Sequence, residues 1–200
     1  MCSMKLCLAS ASPARREVLT RAGIAHEVAV SHVDEEALLA TLGPASPAEE
    51  VLALARAKAE DVAATGYSLV IGCDSMFEYR GDVYGKPHTR EIARERLKAM
   101  SGGTGVLHTG HWLITPTWCG GAVSHANVTI AELTEEEIED YLDTGEPLEV
   151  AGCFTIDGLG GPFISHIEGD HHGIIGLSLP LLRELLMESG HSITELWHGC

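Results

Sequence analysis

The chain has 200 residues, 45% of them hydrophobic and 21% charged, with a formal net charge of −16. That length fits one large domain or two closely packed lobes, and the apolar content excludes a disordered or fibrous chain. The acidic excess argues against nucleic acid as the main partner, because duplex binding rests on many Lys and Arg contacts to phosphate, but it allows a single nucleotide held by a few local cations, backbone N–H groups and a metal.

Lys5–Ala9 reads as a short strand, broken by Ser10-Ala11-Ser12-Pro13, after which Ala14–Ala22 has helical periodicity and Gly23 ends the helix. His26–Val30 reads as a second strand, and Asp34-Glu35-Glu36 as an acidic helix start. Pro47–Ala64 is an alanine-rich helix with Ser46 as its N-cap. Ser68–Cys73 is an apolar strand expected to end at Asp74, and Met76–Tyr84 a hairpin turning at Arg80-Gly81-Asp82. Thr89–Ala99 is an amphipathic helix stopped by Ser101-Gly102-Gly103. Two β-rich runs follow, Gly105–Pro116 and Gly121–Glu132, and then a capping box at Thr134–Glu137 opens a helix to about Leu142. Gly145–Gly173 is irregular, with short strands at Gly152–Ile156 and Phe163–Ile167, and Leu179–Met187 is the final helix. Strands alternating with helices predict an α/β fold rather than separate α and β domains.

The longest apolar run, around Leu69–Cys73, is far short of the ~20 residues that span a bilayer, so no membrane partner is expected. Met1–Cys7 lacks the basic and apolar regions of a signal peptide, which points to a cytoplasmic location. The six cysteines form no CxxC pair and read as reduced thiols, with Cys7, Cys73 and Cys153 in apolar surroundings. His171-His172 is the one close histidine pair and reads as a loop marker.

Three junctions carry reactive groups. Ser10-Ala11-Ser12-Pro13-Ala14-Arg15-Arg16 combines hydroxyls, a helix N-terminus and guanidinium groups, which suits an anion; an N-cap serine with surface arginines is the structural alternative. Asp74, followed by Ser75, stands directly after a buried strand, where a carboxylate is costly unless paired, for instance with a divalent metal. Lys86 is held between Gly85 and Pro87 and is set to face a fixed anion. Lys58 falls on the polar side of its helix, as an anion ligand or as a solvated residue, and Glu35 either opens a helix or supplies a second metal carboxylate.

In this order the pieces resemble the Maf family, septum-formation-inhibitor-like nucleoside triphosphate pyrophosphatases. The resemblance runs from about Lys5 to Leu186 through Leu8–Leu19, Val33–Glu35, Ala57-Lys58-Ala59, Ile71–Ser75, Gly85-Lys86-Pro87, Gly145–Leu148, Ala151-Gly152 and Ile175-Gly176-Leu177. It implies a two-lobed α/β fold with a mixed central sheet, similar to that of inosine-triphosphate pyrophosphatases, and a nucleotide cleft between lobes. It also implies hydrolysis of a nucleoside triphosphate to monophosphate and pyrophosphate, dependence on Mg²⁺ or Mn²⁺, and a homodimer. Asp74 stands at the family's catalytic aspartate; Ser10, Ser12, Arg15, Glu35, Lys58 and Lys86 fall on its phosphate- and metal-handling positions.

The departures lie where base selection is expected. Ala14 replaces the first of two arginines, which Arg16 replaces in part; Ser75 stands where the subgroup for dTTP and UTP has threonine; and Asp157 stands in Ile156-Asp157-Gly158 where that subgroup has glutamine. A carboxylate only accepts hydrogen bonds, so Asp157 is expected to favour base edges that present donors, as cytosine and guanine do. Two alternatives stay open: a house-cleaning pyrophosphatase for non-standard purine nucleotides, and a nucleotide-sensing or division-regulating protein with vestigial hydrolysis.

Overall fold

The computed structural model describes residues 5–197. A seven-stranded sheet runs in the order β2-β1-β3-β5-β6-β7, with β4 paired to β3. Its strands are β1 (Leu6–Ala9), β2 (His26–Val28), β3 (Val70–Tyr79), β4 (Asp82–Tyr84), β5 (Thr104–Ile114), β6 (Cys119–Ile130) and β7 (Ile164–Gly169). β1 pairs in parallel with β2 and β3, whereas β3–β4 and β6–β7 are antiparallel, so the sheet is mixed, as the family resemblance implied. Among the described residues seven α-helices accompany it: α1 (Pro13–Arg21), α2 (Glu35–Leu42), α3 (Pro47–Ala63), α4 (Arg90–Met100), α5 (Glu135–Asp143), α6 (His171–Ile175) and α7 (Leu179–Glu188).

The helix starts follow capping chemistry. Ser12, Asp34, Ser46, Thr89, Thr134 and Ser178 each accept a first-turn N–H through the side chain, and Ser46 with Glu49 and Thr134 with Glu137 form reciprocal capping boxes. The hairpin turn also falls where expected, with Arg80 and Gly81 both at positive φ, as the tight turns of two-residue hairpins demand.

The chain forms two compact units. The first holds the described residues up to Asp74, Thr109–Ser124 and those from Gly176 onward. In it Cys7, Ala9, Ala59, Val62 and Val70 make a buried cluster against which Trp112 and Ile114 pack. The second holds Ser75–His108 and His125–Ile175. Its core gathers Phe77, Tyr79, Leu97, Met100, Val128, Ile138, Tyr141 and Phe154. Burial pushes the Cys73 thiol up to about 12 and the Cys153 thiol up to about 11, consistent with their reading as inert apolar residues.

Three local expectations are corrected. β3 does not end at Asp74 but continues to Tyr79, because the carboxylate finds a cation and does not have to leave the sheet. Gly152–Ile156 is not a strand: Gly152 and Cys153 have φ of +72° and +62°, left-handed values that break extended pairing. His171-His172 opens the short helix α6 rather than marking a loop.

Candidate active site

β1 pairs with β3 through Leu8↔Ile71 and Ala9↔Gly72. That register sets Ser10, the first residue past β1, level with Cys73 and one step from Asp74 on the neighbouring strand. Two of the sequence's candidate junctions thus meet beyond the carboxyl end of a parallel strand, the usual ligand position in α/β sheets.

α3 supplies the cation. Its buried residues are Val51, Leu54, Ala55, Lys58, Ala59 and Val62, a single stripe at helical spacing, so Lys58 lies on the buried face and not on the polar side. What lets α3 come close enough is Gly72. A Cβ there would stand 2.1 Å from the Ala55 carbonyl oxygen and 2.8 Å from the Ala59 amide nitrogen. Gly110 of β5 plays the same part under Val51, whose carbonyl oxygen a Cβ would meet at 2.3 Å. With the helix pressed onto these two glycines, Lys58 Nζ reaches Asp74 Oδ1 at 2.6 Å and Glu35 Oε1 at 2.8 Å.

Lys58 and Asp74 are each only 8% exposed. Burial raises the Asp74 carboxyl above its ordinary value, Lys58 and Arg15 pull it back down, and Glu35 adds to the rise. Glu35 sits in the first turn of α2, behind its N-cap Asp34, with its side chain about half exposed. The acidic run opens a helix, as one of its two readings expected, and Glu35 also pairs with Lys58, a contact that neither reading foresaw.

Arg15, in α1, closes the other side. Its Nη1 donates to Ser10 Oγ at 3.1 Å and its Nε to the Gly176 carbonyl at 2.8 Å. Ser10 Oγ also accepts the Ser12 N–H at 3.2 Å, while Ser12 Oγ is the N-cap of α1, accepting the Arg15 N–H at 3.4 Å. The side chain of Arg15 lies against Gly176, which has φ of +122° and whose added Cβ would come within 3.1 Å of Arg15 Nε. The Gly176 turn is tied to β5 in its turn. The fully buried His111 accepts the Ser178 N–H at Nε2, 2.8 Å away, leaving its Nδ1–H to donate to the Thr109 carbonyl at 3.0 Å. Neither His111 nor Gly176 was singled out for a role by sequence reasoning. The signal present was the Ile175-Gly176-Leu177 segment, with no local feature to say what the glycine faces.

The structure therefore joins Ser10, Ser12, Arg15, Glu35, Lys58 and Asp74. Ala14 is half-buried and Arg16 exposed on α1. Ser75, Lys86 and Asp157 belong to the second unit. Ser75 follows Asp74 on β3 and so projects to the opposite face. Lys86 is exposed and makes no ion pair among the described residues; its loop is pinned by Arg96 Nη1 on the Gly85 carbonyl at 2.6 Å. Asp157 is exposed beside Gly158. A second polar cluster was not anticipated: His108 bridges Glu78 at 3.0 Å and His125 at 2.9 Å. Among the described residues no three His, Cys, Asp or Glu side chains gather as a metal site, and no helix is long and apolar enough to cross a membrane.

The family model for Maf-like protein matches residues 5–189. The chain belongs to the Maf-like family. Among its relatives, proteins called nucleoside triphosphate pyrophosphatase are 52% identical in Streptomyces coelicolor, over 96% of this chain and 94% of that protein. In Nocardia farcinica the figure is 49%, over 96% of each chain, and in Leifsonia xyli 49%, over 98% and 97%. Among solved structures, the Staphylococcus aureus Ham1 protein is similar with a TM-score of 0.40 at 15% identity, covering 64% of this chain and 72% of that one. The Maf-like match spans every residue of the Asp74 cluster.

Proposed function

We propose that this Maf-like chain hydrolyses nucleoside triphosphates at the α-phosphorus, releasing a nucleoside monophosphate and pyrophosphate. The observation that carries the reading is the buried Lys58 ammonium held between Asp74 and Glu35. It stands in a chain 49–52% identical to proteins called nucleoside triphosphate pyrophosphatase.

Water oxygen bonds to the α-phosphorus while the bond from that phosphorus to the bridging oxygen breaks, and the pyrophosphate leaves with the electron pair. Asp74 accepts the proton of the attacking water; its burial, which favours the protonated carboxyl, suits a general base. Lys58 and Arg15 offset the charge that develops on the phosphates, with Lys86 assigned to the same task by its motif position. Ser10, Ser12 and the opening turn of α1 at Ala14 and Arg16 are assigned to the triphosphate, in the manner of anions at helix N-termini.

Two carboxylate oxygens, from Asp74 and Glu35, converge on one ammonium at 2.6 and 2.8 Å, so the pair fits a divalent cation as well. Mg²⁺ and Mn²⁺ suit two carboxylates completed by substrate phosphates, and when bound would neutralise the triphosphate and lower the pKa of a ligated water. Asp157 and Ser75 are assigned to selecting the base. Asp157, an acceptor only when ionised, favours the amino-bearing edges of cytosine or guanine, including modified guanines. A panel in which dTTP and UTP are clearly preferred contradicts that assignment.

The test is pyrophosphate release with Mg²⁺ or Mn²⁺ over standard, methylated and deaminated nucleoside triphosphates, wild type beside Asp74→Asn. The variant should keep its circular dichroism spectrum and lose at least about 10²–10⁴-fold in turnover, the scale of a lost acid–base group. A folded variant with near-normal turnover removes Asp74 from the chemistry. No turnover by wild type with any nucleotide favours the nucleotide-sensing alternative.

A further inference from the structure

Gly145-Glu146-Pro147-Leu148 is a family segment to which neither the sequence nor the proposed chemistry gives a task. In the structure Glu146 is the hub of a loop. Its Oε1 accepts the Tyr141 hydroxyl at 2.8 Å, the Thr155 hydroxyl at 2.6 Å and the Gly160 N–H at 2.9 Å, and its Oε2 accepts the Leu159 N–H at 3.0 Å. Four donors on one side chain is what an ionised carboxylate can accept and a carboxamide cannot. Burial opposes the charge, but Thr155, the Leu159 and Gly160 amides and Tyr141 outweigh it and hold the carboxyl below the ordinary glutamate value.

Three of the donors, Thr155, Leu159 and Gly160, bracket Ile156-Asp157-Gly158. The backbone there is drawn close around Glu146 and Tyr141, so a side chain at Gly158 would have to push the Glu146 carboxylate aside and one at Gly160 would also meet the Thr155 backbone, its carbonyl oxygen at 2.8 Å. A Cβ on Gly158 would stand 2.5 Å from Glu146 Oε2 and 2.6 Å from Thr155 Oγ1, and one on Gly160 would stand 2.4 Å from the Tyr141 hydroxyl. Ile156 packs against the buried cluster of the second unit, and Tyr141 belongs to it. Asp157 remains exposed on a backbone fastened on both sides.

We propose that Glu146 is a positioning residue for base selection: its carboxylate fixes the 155–160 loop so that Asp157 presents its acceptors in one orientation. The inference rests on the assignment of Asp157 to the base. A loop held by a charged acceptor keeps Asp157 ordered before substrate arrives, so discrimination between bases does not carry the entropy of ordering the loop. Glu146 acts on the base through the loop, not by direct contact.

The experiment compares wild type, Glu146→Gln, Asp157→Ala and the double variant on CTP, GTP, UTP and dTTP, reading kcat and KM separately, with amide hydrogen exchange across residues 155–160. Tyr141→Phe, which removes one donor of the four, is the milder variant if Glu146→Gln does not fold. Glu146→Gln should speed exchange at Leu159 and Gly160. It should also raise KM for the preferred base more than it lowers kcat, shrinking the ratio of kcat/KM between preferred and rejected bases by at least about threefold, a coupling typical of residues linked through a shared backbone shift. In the Asp157→Ala background the same change should leave that ratio unaltered.

Faster exchange with an unchanged base ratio overturns the proposal, as does a loss of selectivity that persists in full without Asp157. If Asp157→Ala alone leaves the ratio unchanged, the assignment of Asp157 to the base has failed, and this inference with it, while pyrophosphate release stands. If wild type releases no pyrophosphate from any of the four, the failure lies in the hydrolase reading itself.

Discussion

Removing a carboxylate from water costs several kcal/mol unless a partner compensates, and a buried lysine carries the mirror-image cost. Asp74 and Lys58 offset one another at 2.6 Å, with Arg15 nearby to lower the carboxyl further. Arg15 in turn is oriented by two oxygens, Ser10 Oγ and the Gly176 carbonyl. Gly176→Ala tests that arrangement. Alanine at a φ of +122° is strained, and its methyl would crowd Arg15 Nε at 3.1 Å. A loss of about tenfold or more in turnover is expected, because small displacements of a positioned group cost factors of that order. Steady-state kinetics beside a thermal melt will check it: a drop in stability with normal turnover would mean that Arg15 does not depend on the turn.

At the scale of elements, close approach of α3 to the sheet rests on two glycines. Gly72→Ala would drive a methyl into the backbone of Ala55 and Ala59. Backbone cannot swing aside as a side chain can, so the helix has to move. A destabilisation of about 1–3 kcal/mol is expected in urea unfolding, the range for overpacked cores. Turnover should fall with it, since Lys58 leaves with the helix.

α4 and α5 are joined by charge instead. Glu139 receives Arg90 and Arg94 together, and Asp143 takes Arg90 at 2.6 Å. The side-chain hydrogen bonds from Arg94 and Arg90 hold the Glu139 carboxyl down at about 2, against an ordinary 4.5. A depressed carboxyl contributes stability that is complete above the unfolded value and is lost as pH falls through the folded one. This network therefore stabilises the fold fully above about pH 4.5 and loses its contribution between there and about pH 2. Glu139→Gln should flatten stability against pH across that window and leave its shape above pH 5 unchanged. Urea midpoints measured from pH 2 to 7 decide it; an identical profile in the variant would show that the pairs are too solvated to matter.

For the whole molecule, a net charge of −16 on 200 residues sets up long-range repulsion toward polyanions. The few cations that do useful work are placed locally, Lys58 and Arg15 beside Asp74 and Glu35, and a handful of contacts suffices for one triphosphate. Duplex DNA should accordingly show no binding in the micromolar range at about 0.15 M salt, where nonspecific binders have Kd values of 10⁻⁴–10⁻⁶ M. Fluorescence anisotropy with a labelled duplex checks it, and micromolar binding would reveal a basic surface that the charge balance hides.

Much of this was written along the chain. Caps at Ser46 and Thr134, the glycine stop after α1 and the Arg80-Gly81 turn depend on neighbours within four residues, so sequence alone located them. Asp74, Lys58, Arg15 and Glu35 were recognisable as candidates through ordered motifs, and Lys58 was even marked as buried by its place in the stripe Val51–Val62, a pattern the polar-side reading passed over. What the tertiary structure decided was whatever depends on contacts across long stretches of sequence. Asp74 continues its strand because a lysine 16 residues earlier meets it. Arg15 is oriented by a carbonyl 161 residues away. Glu146 gathers a loop that begins nine residues after it. Such partners leave no local periodicity or turn chemistry behind. Capping and hydrophobic spacing are properties of a short segment, whereas the pairing of a buried charge or the fastening of a loop exists only once distant segments share the same few ångströms.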